Sequence, residues 1–137
     1  MDRDTEPPES PKYHAIAEKL RRRVNCTAWT TERKELENYI HPNVIKDRYP
    51  AYSSTGQAFE DVPTLFARAV HEASESSLPW EDVIADQEKF AKKVSKAKSR
   101  LFNEFAPRMT PGLLSEIDPR NEVRTWLKTI GEALKAR

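Results

Sequence analysis

The feature that most constrains this chain is a long amphipathic segment over about residues 80–105. Its apolar residues recur every three or four positions, as on one face of an α-helix. They are Phe90, Val94, Ala97, Leu101 and Phe105. Because such a stripe must be buried against other elements, it predicts a long helix at the centre of a helical core.

Similar spacing predicts helices over about residues 12–24, 32–40 and 63–73. Thr110-Pro111 and Asp118-Pro119 each place a capping side chain before a proline, which is a helix-start signal. The last helix presents one apolar face whose tryptophan and first leucine we expect in the core: Val123, Trp126, Leu127, Ile130 and Leu134.

The segment Cys26–Thr30 is short, β-prone and free of charge, so it predicts a strand. No second segment of the chain offers a clear partner for it. The expected fold class is therefore mainly α, an α+β remnant of five or six helices with one or two short strands.

Composition narrows the class of protein. A chain of 137 residues with 37% hydrophobic residues can form one compact core. Its formal charge of +1 excludes bulk attraction to nucleic acid. The only cysteine, Cys26, excludes an internal disulfide and fits a reducing compartment. Without a signal peptide or an apolar run of ~18–20 residues, we expect a cytoplasmic protein with no membrane partner.

Four acidic residues and one lysine are the candidates for chemistry. Asp2 and Asp4 are two apart, so in an extended segment both point to the same side. Glu35 and Glu37 lie within the motif Glu-Leu-Glu-Asn-Tyr. Carboxylate oxygens are the ligands that Mg²⁺ prefers. Lys98 flanks the apolar stripe of the long helix, where a lysine either extends to water or serves a site.

Taken in order, these motifs resemble the Toprim nuclease domain of OLD-family ATP-dependent endonucleases. The similar stretches are Met1–Asp4, Arg33–Pro42 and Lys98–Ile130, and they extend over nearly the whole chain. The resemblance implies a partial Toprim-like segment over residues 1–45. It also implies a helical C-terminal region over 46–137, packed with it as one domain.

The resemblance further implies a DNA endonuclease whose cofactor is Mg²⁺ or Mn²⁺, bound only if the site is completed. Metal ligands would come from Asp2, Asp4 and one of the two glutamates, with Glu37 favoured over Glu35. Glu37 would also be catalytic, and Lys98 would stabilise negative charge on the phosphate.

Two departures from the family affect this interpretation. The chain has three glycines and no phosphate-binding glycine loop, so the family's ATPase is not represented. The strand and glutamate turn that begin the Toprim domain are also absent. We therefore expect a C-terminal fragment or subunit, inactive alone. Another chain would supply the N-terminal ATPase and Toprim half; otherwise the chain is a remnant without activity, and whether it is an enzyme stays open.

Two other classes stay open. The helices at 80–106 and 119–137 would also suit a non-enzymatic module that docks on a protein partner. A small helical DNA-binding protein would use phosphate contacts from Arg21–Arg23 and from the basic row Lys89, Lys93, Lys96 and Arg100. His41, directly before a proline, is interpreted as a helix-end residue in preference to a metal ligand.

Overall fold

The computed structural model describes residues 1–2 and 13–135 of the chain. Within those ranges it has seven α-helices, one more than the larger number expected. They are α1 (His14–Arg21), α2 (Pro42–Lys46), α3 (Val62–Glu72), α4 (Trp80–Ala85), α5 (Gln87–Arg100), α6 (Pro111–Ile117) and α7 (Glu122–Lys135). A π turn follows α5 at Leu101–Phe105, and short 3₁₀ turns lie at Leu36–Tyr39 and Ala106–Arg108. The mainly helical fold class is confirmed.

The core forms where α3 packs against α5, and α4 contacts both helices. Phe66 of α3 is fully buried, and its ring meets that of Phe105 edge to face at 5.2 Å between centroids. The expected apolar stripe belongs to this core, partly buried at its start and buried at its end: Phe90, Val94, Ala97, Leu101 and Phe105. Helical periodicity therefore identified the packing face correctly.

The prediction of a single helix over residues 80–105 is wrong, because the helix is interrupted at Asp86, between α4 and α5. The Asp86 backbone has φ −95° and ψ 97°, which is not helical. Its carboxylate accepts a hydrogen bond from the Lys89 backbone N–H at 3.1 Å and so caps α5. A capping aspartate stabilises the start of a new helix. Two shorter helices therefore form here in place of one long helix.

The helix expected over residues 32–40 is reduced to the 3₁₀ turn at Leu36–Tyr39. Besides the short-range bonds of this turn, several side-chain and backbone groups of the segment bond to residues 56–60, far along the chain. Arg33 Nη1 donates to the Gly56 carbonyl at 2.9 Å, and Lys34 N donates to the Ala58 carbonyl at 2.9 Å. Asn38 Nδ2 donates to the Glu60 carbonyl at 3.0 Å. These tertiary bonds hold the segment out of a regular helix.

The strand expected at Cys26–Thr30 does not form, and the described residues include no β-strand. This segment has one backbone bond to Met1, whose amino group donates to the Trp29 carbonyl at 2.8 Å, and the residue after the segment has another. The Thr31 N–H donates to the Met1 carbonyl at 2.9 Å. The pairing extends over one residue, which is too little for a strand ladder.

The first and last helices bury less apolar surface than the sequence indicated. Helix α1 is shorter than expected: Lys12 lies outside the described residues, and Val24 follows the helix with 89% exposure. In α7, Trp126 is half-buried, but Leu127 is 62% exposed and so is not a core residue. No helix in the described part of the chain is both long and apolar enough to cross a bilayer.

Asp118 sets the start of α7, although this helix begins at Glu122 and not directly after the aspartate. The Asp118 carboxylate is buried and accepts from the backbone N–H groups of Glu122 at 3.0 Å and Val123 at 2.9 Å. Both would lack a protein partner without it.

We expect Asp118→Ala to lower the free energy of unfolding by about 0.5–2 kcal/mol, the usual value of a helix cap. Urea denaturation followed by circular dichroism measures the change. Asp118→Asn is the matched control, because its amide oxygen can still accept one of the two bonds. Stability equal to that of the unaltered protein in Asp118→Ala would show that the cap contributes nothing.

Candidate functional site

Lys98 lies on the flank of α5, with its side chain 41% exposed beside the core. Its Nζ donates to Glu35 Oε1 at 2.9 Å and lies 3.7 Å from Glu37 Oε1. Glu35 is 63 positions from Lys98 in sequence, so the contact is a product of the tertiary fold. The structure therefore brings together three of the residues that the sequence singled out.

The two glutamates are held by the 3₁₀ turn at Leu36–Tyr39. Asn38 is buried, and its Oδ1 accepts from the Glu35 N–H at 3.2 Å. Its Nδ2 donates to the Glu60 carbonyl, which anchors the turn to the segment before α3. Leu36 lies between the glutamates and is 45% exposed. The turn thus positions an acidic pair through a buried amide.

The electrostatics of the pair are set by burial and by Lys98. The Glu37 side chain is 6% exposed, and loss of hydration raises the pKa of its carboxyl although Lys98 opposes this. Burial alone would lower the pKa of the Lys98 ammonium. Its hydrogen bond to Glu35 and the negative charges of Glu37, Glu35 and Asp2 outweigh that effect and raise it. Lys98 is thus stabilised as a cation beside a carboxylate that is costly to ionise.

Asp2 contributes a further negative charge to this neighbourhood. Its charge raises the pKa of Glu37 and that of Lys98, so it lies within electrostatic reach of both. The backbone bonds of Met1 to Trp29 and Thr31 hold this end of the chain in place. Asp4, the other aspartate of the expected site, lies outside the described residues.

The acidic pair fits a divalent cation in part. Its carboxylate oxygens are hard donors, and Mg²⁺ is commonly held by one or two carboxylates while it keeps several waters. The described residues contain no group of three or more His, Cys, Asp or Glu arranged to hold a metal. Within the described residues, Glu35 and Glu37 could therefore hold an ion that keeps most of its water ligands. They do not surround an ion with protein ligands alone.

His41 has the helix-end role that the sequence indicated. Its Nδ1 accepts from the Asn43 backbone N–H at 3.2 Å at the start of α2. Its Nε2 lies 3.3 Å from Glu116 Oε2. Both ring nitrogens therefore have partners within this chain.

The basic row of α5 (Lys89, Lys93, Lys96, Arg100) lies on the opposite side of that helix from Lys98. Lys89 Nζ pairs with Asp86 Oδ2 at 3.1 Å, and Arg100 makes two hydrogen bonds to Glu104. Lys93 Nζ is 3.3 Å from His71 Nδ1. Two of the four cations are therefore neutralised within the chain, which reduces the charge available for phosphate contacts.

Sequence reasoning missed an apolar groove that is also lined by the turn at Leu36–Tyr39. Its walls come from that turn, from the chain after α5, from α6 and from α7, and they include Leu36, Tyr39, Phe102, Leu114, Val123 and Trp126. Tyr39 links the walls, because its ring meets Trp126 at 5.3 Å between centroids and its hydroxyl donates to Glu122. The available signal was Leu36 itself, an apolar residue between two glutamates.

Comparison with known proteins provides no relative. No family model, no curated protein and no solved structure matches this chain. The resemblance to the Toprim domain therefore stays an interpretation of the sequence motifs.

Proposed function

We propose that this chain contributes the acidic pair and the lysine of a Mg²⁺- or Mn²⁺-dependent DNA endonuclease of the OLD-family Toprim class. It would act as a C-terminal fragment or subunit completed by an ATPase and Toprim half on another chain. The supporting observation is that Lys98 Nζ lies 2.9 Å from Glu35 and 3.7 Å from Glu37. The same three residues belong to the motifs that resemble the Toprim domain.

Each residue has a chemical role in this proposal. Glu35 and Glu37 would hold the ion, together with Asp2 and Asp4. When bound, the ion would act as a Lewis acid on a phosphate oxygen. Lys98 keeps a full positive charge beside the carboxylates, and it would stabilise the negative charge that develops on the phosphate.

A simpler explanation is that these contacts only stabilise the fold. An ion pair between α5 and the Leu36–Tyr39 turn also fastens two elements of the fold, and no cation is needed for that. Metal binding separates the two accounts, because a purely structural pair would show no affinity for a divalent ion.

Isothermal titration calorimetry with Mn²⁺ and Mg²⁺ tests the metal role. We expect saturable binding that Glu37→Gln weakens by about 10–100-fold, as is usual when a metal site loses one of its supporting groups. Glu88→Gln, an exposed residue in the first turn of α5, is the matched control and should leave binding unchanged. Absence of saturable binding, or equal binding in both variants, would overturn the proposal.

Nicking of supercoiled plasmid DNA tests the enzymatic role. Metal-dependent nicking is expected when the completing ATPase and Toprim half is supplied. Glu37→Ala should abolish it, whereas Lys98→Met should reduce nicking and leave Mn²⁺ binding in place. Nicking that survives Glu37→Ala would count against the assignment.

The second candidate function is a non-enzymatic helical interaction module. The apolar groove beside α7 favours it, because exposed apolar patches mark interaction sites. Under this alternative the carboxylates bind no cation, and the calorimetric titration above gives no saturable heat.

A further inference from the structure

The groove between the turn at Leu36–Tyr39 and α7 is a concave apolar surface that no side chain of the described residues fills. Its volume is about 280 Å³. Leu36 and Phe102 on its rim are 45% and 42% exposed. Apolar area left open in this way is costly in water, so the groove is a candidate for covering by another chain.

Helix α7 extends this surface beyond the groove. Leu127, Ile130 and Leu134 are 62%, 51% and 66% exposed. Their spacing of three and four places them on one helix face, next to the groove residues Val123 and Trp126. The groove and this exposed face together form one continuous apolar surface, which we call the α7 surface.

One edge of the α7 surface is basic. Arg124, Lys128 and Lys135 lie about 100° around the helix from the apolar face, since each residue advances the helix by about that angle. The only acidic residue among them is Glu132, whose carboxylate is 3.9 Å from Lys128 Nζ. Three cations against one carboxylate leave this edge positive.

The basic edge distinguishes between occupants. If a second copy of the chain paired its α7 with this one in an antiparallel two-fold arrangement, each basic edge would face the other, and like charges would repel. A helix with acidic residues along one edge would instead meet opposite charge while its apolar ridge fills the groove. Charge complementarity thus favours a partner different from this chain.

We propose that the α7 surface binds an amphipathic helix of another protein that carries an acidic edge. The apolar ridge of that helix covers the groove together with Leu127, Ile130 and Leu134. Its acidic edge lies along Arg124, Lys128 and Lys135. This is helix-in-groove recognition, and it goes beyond the proposed metal chemistry, which uses Glu35, Glu37 and Lys98, none of which lines the groove.

Two fluorescein-labelled peptides of about 18 residues, long enough to cover α7, test the proposal by fluorescence anisotropy. Both have the same leucine ridge, and one carries glutamates along its edge where the other carries lysines. We expect the glutamate peptide to bind at least about tenfold more tightly at low salt. The double variant Lys128→Glu/Lys135→Glu should reverse this preference.

The apolar part is tested with Leu127→Ser/Leu134→Ser. Both side chains are mostly exposed, so the variant should keep its circular dichroism spectrum and lose binding of the glutamate peptide by at least about tenfold. Failure of both peptides to bind, or equal binding of the two with no effect of charge reversal, overturns the proposal. So does self-association that the serine variant abolishes, or binding to phosphatidylserine vesicles in place of the peptide.

Discussion

Replacing Phe66 by alanine is expected to lower the free energy of unfolding by about 3–5 kcal/mol. Phe66 is fully buried between α3 and α5. Its ring makes edge contacts with Tyr49 at 5.5 Å and with Phe105 at 5.2 Å between centroids. The guanidinium carbon of Arg100 lies 5.4 Å from the same ring. The substitution removes all of these contacts and leaves a cavity that the surrounding rings cannot fill.

Urea denaturation followed by tryptophan fluorescence measures this loss, and Phe102→Ala is the matched control. Phe102 is 42% exposed, so its truncation should cost at most about half as much. Because a domain of this size is stable by only about 5–15 kcal/mol, the Phe66 variant should be studied at low temperature. Equal losses in the two variants would contradict the placement of Phe66 at the centre of the core.

Replacing Lys98 by methionine is expected to lower the free energy of unfolding at neutral pH by about 1–3 kcal/mol. The substitution leaves Glu37 with a side chain that is 6% exposed and without its cation. Loss of a partner from a fully buried ion pair costs about 3–5 kcal/mol. We expect less here because the Lys98 side chain is 41% exposed and its charge is partly screened by water.

The loss should depend on pH in a defined direction. Burial already raises the pKa of Glu37 in the folded protein, and removal of Lys98 raises it further. The folded state then binds more protons than the unfolded state, so stability falls as the pH rises through the folded pKa of Glu37. Below the pKa of the unfolded state, where Glu37 is protonated in both states, this part of the loss disappears.

Two variants isolate the role of Glu37. Glu37→Gln/Lys98→Met should lose the pH-dependent part of the destabilisation, because the glutamine has no proton to bind. Lys96→Met, an exposed lysine of the same helix, should change stability by less than about 0.5 kcal/mol. A Lys98→Met deficit that is constant from acid to neutral pH would show that Glu37 is not the group left without a partner.

Periodicity predicted the packing faces well but the helix boundaries less well. The stripe from Phe90 to Phe105 is core as expected, because burial of one helix face requires that spacing. The spacing showed no sign of the interruption at Asp86. There, the Asp86 carboxylate accepts a hydrogen bond from the Lys89 N–H and caps α5, which divides the predicted helix into two. Capping depends on a single side chain, and periodicity carries no information about it.

The candidate site was predicted in part. The motif order indicated Glu35, Glu37 and Lys98, and the structure brings them into contact. Where Asp4 lies relative to them stays a prediction, as do the metal, the DNA partner and the division at residue 45. The groove was missed because its walls come from four separate segments of the chain that have no shared motif.

The sequence by itself determined which residues are apolar, how they are spaced and therefore that the fold is mainly helical. Tertiary structure alone decided that residues 32–40 form only one 3₁₀ turn, because Arg33, Lys34 and Asn38 bond to partners at residues 56–60. It also decided that Leu127 is exposed and that Lys98 faces two glutamates. The spacing of apolar residues decides which face of a helix is buried. Long-range hydrogen bonds and ion pairs form only between segments that the complete fold brings together.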